Sequence, residues 1–99
     1  MADPPVSISL TQEATSWYSM LSPAHRARVD ARLREMALDP DGAPLRRREP
    51  SGRVRYSAMV MIQDASAWAY RIDYVIDERM RAHLPAIVVL RGKALVRRN

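Results

Sequence analysis

Over residues 53–62, and again over residues 68–77, apolar and polar side chains alternate one by one. Neighbouring side chains on a strand point to opposite faces, so this pattern predicts two strands with one face buried and one face wet. In the first run Val54, Tyr56, Ala58, Val60 and Ile62 share a face, opposite Arg53, Arg55, Ser57, Met59 and Met61. In the second, Trp68, Tyr70, Ile72, Tyr74 and Ile76 oppose Arg71, Asp73 and Asp77. Residues 63–67 are polar and read as the turn between them. After a charged loop over residues 78–85, residues 86–90 are continuously apolar, as expected of a central strand covered on both sides. Three strands in succession predict an antiparallel meander.

The first half of the chain has a different period. Residues 6–10 alternate and predict one more short strand. Thr11 then suits a helix N-cap, with Glu13 near the positive end of the helix dipole. Over residues 12–21, Ala14, Trp17, Tyr18 and Leu21 fall on one helical face. Ser22 suits a second cap and Pro23 the first position of a second helix, ending near Leu38, with Val29, Leu33 and Met36 as its inner stripe. Two helices joined this closely predict a helical hairpin. Residues 39–44 break the chain with two prolines and a glycine, and residues 45–52 read as a basic loop. The expected order is β-α-α-β-β-β, an α+β fold with the helices covering one sheet face. One domain is expected over residues 1–99, with residues 1–5 a flexible tail and residues 94–99 a basic tail.

Charge narrows the partners. The formal net charge is +5, and Lys93 is the only lysine among 16 basic residues. A small domain this basic tends to meet nucleic acid or another acidic partner, and guanidinium forks match phosphate oxygens. The absence of cysteine excludes disulfides, thiolate nucleophiles and cysteine zinc sites. Two distant histidines make no credible metal site, and no glycine-rich phosphate loop occurs. No metal and no small-molecule cofactor is expected. The first residues lack the charged and apolar segments of a secretory signal, and no apolar run is long enough to span a bilayer, so a cytoplasmic protein without membrane contact is expected.

The segment Tyr70-Arg71-Ile72-Asp73-Tyr74 resembles the YRxxY strand of the RelE/ParE toxin superfamily, the toxin halves of type II toxin–antitoxin pairs. Weaker matches stand in the same order. Trp17, Tyr18 and Leu21 resemble the aromatic first helix, and Leu38-Asp39-Pro40 is similar to the exit from the second. Arg53-Val54-Arg55 resembles the basic opening of the next strand, and residues 88–93 look like the closing strand with its glycine–basic end. The resemblance covers residues 6–93. It implies a RelE/ParE-like fold, a cognate antitoxin protein as partner, and a ribosome-dependent mRNA endonuclease that inhibits translation. By position, Arg71 would hold the scissile phosphate, Arg53 and Arg55 would be the basic pair of the preceding strand, and Lys93 the basic residue after the closing glycine.

Transfer of a phosphoryl group to a 2′-hydroxyl needs a base, cations for the developing charge, and an acid for the leaving oxygen. Arg71, Lys93 and Arg55 are the candidate catalytic cations. Arg53, Arg46, Arg47, Arg48 and Arg91 are candidates for a wider RNA-binding surface. Arg71 reads equally as a plain cross-strand ion pair, and Asp73 as the partner of Arg71 or Arg55. Tyr70 and Tyr74 read as core, His25 as remote from the site, and His83 as a solvated loop residue. Ala94 stands where RNA-cleaving relatives often carry arginine, and residues 95–99 hold neither tyrosine nor histidine. That keeps open a second reading, a poison of DNA gyrase without chemistry of its own. A non-toxic basic nucleic-acid-binding or adaptor module is the third.

Overall fold

In the computed structural model, which describes residues 7–39, 45–64, 67–77 and 86–96, the chain forms β1 (Ser7–Leu10), α1 (Gln12–Ser19), α2 (Pro23–Leu38), β2 (Leu45–Arg48), β3 (Val54–Met61), β4 (Ala69–Asp77) and β5 (Ala86–Leu95). The class is α+β, with five strands in the order β1-β5-β4-β3-β2. β1 runs parallel to β5, and every other pairing is antiparallel. Among the described residues no helix is long and apolar enough to cross a membrane.

Both helices start where the cap residues place them. Thr11 Oγ1 accepts from the Ala14 N–H at 3.2 Å, and Ser22 Oγ accepts from the His25 N–H at 3.3 Å, each satisfying an orphan first-turn donor. The Thr11 hydroxyl also donates to the Leu90 carbonyl at 2.7 Å, which ties the start of α1 to β5. Between the helices, Tyr18 donates to Asp30 at 2.6 Å and the Arg26 guanidinium lies over the Tyr18 ring.

On the helix side the faces follow the alternation, whereas on the other, expected wet face of β4 Ala69, Asp73 and Val75 are buried and Arg71 is half-buried. Tyr56, Ala58 and Val60 of β3 and Tyr70, Ile72 and Tyr74 of β4 are buried, in one cluster with Ala14, Leu21, Val29, Leu33 and Met36 of the helical segment. The stripe over Val29, Leu33 and Met36 is therefore the one α2 buries, as its spacing predicts. Ile72, Tyr74 and Ile87 are sealed from solvent. Burying each such side chain stabilises the fold by roughly 1.5–3 kcal/mol.

Three expectations need correction. Residues 45–52 are not all loop: Leu45–Arg48 form a further edge strand, paired with residues 54–57 of β3. The connection is a short loop in which Gly52 N–H donates to the Glu49 carbonyl and Glu49 N–H to the Arg53 carbonyl, both at 2.8 Å. Pro50 suits a type I turn, and Gly52 at φ +90° takes the left-handed position after it. The last strand does not end at Leu90 either. Arg91, Gly92 and Lys93 remain in β5, opposite Asp73, Ile72 and Arg71. Ala94 and Leu95 close that strand, so the expected tail over residues 94–99 shortens, with residues 97–99 outside the described residues, as are residues 1–5.

β5 carries a bulge. Its register against β4 steps from Asp73↔Arg91 to Tyr74↔Val89, leaving Leu90 as the extra residue. Before the bulge Ile87 and Val89 face the helices. After it the phase reverses, and Gly92 takes the helix-facing side beneath Trp17. A Cβ on Gly92 would fall inside the indole, against Cε2, Cδ2 and Cζ2 of Trp17. The same reversal turns Arg91 and Lys93 to the opposite, wet face.

Candidate functional site

The wet face of β3, β4 and β5 holds two rows of residues at right angles to the strands. One row is Ser57, Asp73 and Arg91; the next is Met59, Arg71 and Lys93. The sheet thus brings together Arg71, Lys93 and Arg91 of the expected site residues. It sets Arg71 and Arg91 on the carboxylate of Asp73, which sequence reasoning gave only a pairing role, and Lys93 beside Arg71.

Asp73 is 2% exposed although it lies on the wet face. A buried carboxylate is costly unless charge and hydrogen bonds meet it. Here Ser57 Oγ donates to Oδ1 at 2.8 Å, Arg91 Nε donates to Oδ2 at 2.9 Å, and Arg71 Nη2 donates to Oδ2 at 3.3 Å. Arg71 Nε lies 3.1 Å from Oδ1, an ionic contact whose N–H is not aligned on the oxygen. Burial pushes the Asp73 carboxyl up, but hydrogen bonds from Arg91 and Ser57 and the charge of Arg71 outweigh it and hold the group below its ordinary value. The hydrogen bond to Asp73, and then its negative charge, raises the Arg91 guanidinium in return. Asp73 therefore pairs with Arg71 as one expected alternative had it, and with Arg91 rather than Arg55.

The other candidate cations stand apart. Arg55 binds Glu49 at 2.8 Å, across the β2–β3 turn. Arg53 is exposed where the turn enters β3. Arg46, Arg47 and Arg48 lie on β2, with Arg47 in register with Arg55. β2 and β5 are separated by β3 and β4, which at about 4.8 Å per strand spacing places them roughly 14 Å apart. Lys93 is exposed beside Arg71, and His83 lies outside the described residues.

A second polar cluster sits on the helix side. His25 Nδ1 is 2.8 Å from the Tyr70 hydroxyl, and His25 Nε2 meets the Asp64 carboxylate. With Nε2 carrying the proton toward Asp64, Nδ1 accepts from the phenol. Burial and the Asp64 charge push the Tyr70 phenol up. The hydrogen bond to Asp30, then burial, does the same at Tyr18. His25 is remote from the wet face, as expected, but it is not idle: it fastens the β3–β4 turn to α2. Only a known register could have found that link, because its three members lie up to 45 positions apart. Ser57 was equally hidden, since a serine on a wet strand face gives no local sign of a carboxylate on the next strand.

No family model matches the chain, and no curated protein or solved structure matches it either.

Proposed function

We propose that this chain is a toxin of the RelE/ParE type, acting in the cytoplasm on messenger RNA held in the ribosome and restrained by a cognate antitoxin. The observation that carries this reading is the pairing of Arg71 and Arg91 with Asp73 on one sheet face, with Lys93 in register beside Arg71. Three cations against one carboxylate leave a surplus of positive charge where a polyanion docks. In the cleavage step the ribose 2′-hydroxyl gives its proton to solvent water, its oxygen bonds to the neighbouring phosphorus, and the bond from phosphorus to the 5′-oxygen breaks. Arg71 and Arg91 stabilise the charge that develops on the phosphate. Arginines stay protonated, so Lys93 is the group that gives a proton to the 5′-oxygen. An acidic antitoxin segment would cover the same cations.

A gyrase poison of the same fold is the second reading, and one observation favours it. Next to Arg71 the described carboxylate is Asp73, and two arginines and a serine already occupy it, which suits it poorly to take a proton from a 2′-hydroxyl. A poison that only docks needs no base. Induction of the wild-type chain in a tolerant host, with mapping of mRNA 5′ ends and Arg71→Ala in parallel, separates the readings. Growth arrest with translation-dependent cuts, both abolished in Arg71→Ala, supports the endonuclease. Arrest without cuts, with gyrase inhibited, supports the poison. Unaffected growth removes both and leaves a binding module.

A further inference from the structure

We infer that Asp73 is a positioning residue, which holds Arg71 and Arg91 by their inner edges so that the two guanidiniums form one clamp for a phosphodiester of single-stranded RNA. This rests on the RNA reading above for the identity of the anion, but the clamp itself follows from geometry. A guanidinium is a planar fork with two usable edges, one formed by Nε and one Nη, the other by the two Nη groups. Arg71 turns its Nε and Nη2 toward Asp73, and Arg91 its Nε. Among the described residues no acceptor takes the end edge of either fork. Among the described residues, Asp73 is the acceptor that both forks reach, while their side chains stay 34% and 44% exposed above a carboxylate side chain that is 3% exposed. The anion beneath is hidden and the donors above are open.

A plain ion pair would need only one arginine. Among the described residues, two guanidiniums on one carboxylate leave a surplus of positive charge, and Lys93 adjoins Arg71 in the next row. A phosphate completes the balance and accepts from two end edges at once, the interaction for which arginine is better shaped than lysine. Asp73 supplies three constraints to the pair. It fixes the rotamers of two long side chains, it is itself fixed by Ser57, and it sits in register with Arg91 across the β4–β5 ladder. Glu13 adds a more distant negative charge near Arg91, on the α1 side.

Positioning and simple charge predict opposite signs. Asp73→Asn removes a negative charge from the face, so electrostatics alone predicts tighter binding of a polyanion. If Asp73 aims the clamp, binding weakens although net charge rises. The probe is a fluorescent five-nucleotide RNA with 2′-O-methyl riboses, which cannot be cut, titrated with the full chain by anisotropy at several salt concentrations. The expected result is a loss of about tenfold for Asp73→Asn, similar to Arg91→Ala. The salt slope should also fall by about 0.7 for each phosphate that the variant no longer neutralises. Arg91→Lys, which keeps charge and leaves Asp73 a partner, is expected to weaken binding several-fold and covers the case in which Asp73→Asn does not fold.

Equal or tighter binding by folded Asp73→Asn, or unchanged binding by Arg91→Lys, overturns the clamp and leaves the RNA reading standing. If the wild type ignores the RNA, dimethyl phosphate is added while the arginine Nε–H resonances are followed. Shifts at Arg71 and Arg91 that vanish in Asp73→Asn then support the clamp and remove the RNA reading. No response to either probe overturns both.

Discussion

Replacing Gly92 by alanine tests the packing that sets β5 against α1. Gly92 has no left-handed backbone requirement, so an alanine meets no conformational barrier there. The added Cβ would instead occupy the same space as the Trp17 indole. That ring is braced by an edge-on contact with Tyr70, 5.7 Å between centroids, and rests on a strand paired with buried Ile72. To make room the indole must withdraw by more than an ångström, because carbon atoms settle about 3.5–4 Å apart. Overpacking of this kind costs about 1–3 kcal/mol, and the disturbed aromatic pair adds about 0.5–1.5 kcal/mol. A destabilisation near 3 kcal/mol lowers the melting temperature of a domain this size by roughly 10–25 °C. Urea unfolding followed by circular dichroism measures it, since the tryptophan signal is itself altered. In a Trp17→Ala background the space is open, and Gly92→Ala should become neutral or stabilise by about 0.4–1 kcal/mol through the unfolded chain. The double-mutant cycle should then show a coupling near 3 kcal/mol. Equal destabilisation in both backgrounds would falsify the steric account, as would a cost below about 0.5 kcal/mol for the single variant.

Other outcomes follow from the polar clusters. His25→Ala leaves the Tyr70 hydroxyl without its partner and releases Asp64, and should cost about 1–2 kcal/mol in chemical denaturation; a change indistinguishable from zero would mean the link is made by water as readily as by histidine. Asp73 titrates below its ordinary value of 3.8 in the folded protein, so the unfolded chain holds that proton more tightly. Its stabilising contribution is thus complete above the unfolded value and fades as the pH falls through the lower folded one. Asp73→Asn should flatten this acid limb relative to wild type, and parallel acid limbs would contradict the assignment.

Much of the fold was legible because local chemistry and tertiary demand agreed. Thr11 and Ser22 marked both helix starts, and the alternation in β3 and β4 gave their faces. The β-bulge left no single-residue mark. Its only trace is a change of phase, with Val89 apolar on one parity and Gly92 small on the other, and reading that requires knowing that both lie in one strand. β2 was hidden for a different reason. Three consecutive arginines do not alternate, and their strand is defined by hydrogen bonds to β3 rather than by its own pattern. The site was half visible: Arg71 and Lys93 stood out by type and position, whereas the joining of Arg71 to Arg91 through Asp73 and Ser57 depends on register across three strands.

The parallel pairing of β1 with β5 has a consequence for how the protein is made. β2 to β5 can zip together through connections between sequence neighbours, but β1 has its hydrogen-bonded partner in β5, the last of the described strands to be synthesised. Thr11 reaches Leu90 across 79 positions of chain. During synthesis the first strand and α1 therefore wait, with Ile8, Leu10 and Trp17 uncovered, until β5 emerges. The same late strand brings Arg91 and Lys93. A nascent chain cannot display the assembled cationic face before β5 joins the sheet, so that face and the completed sheet appear together.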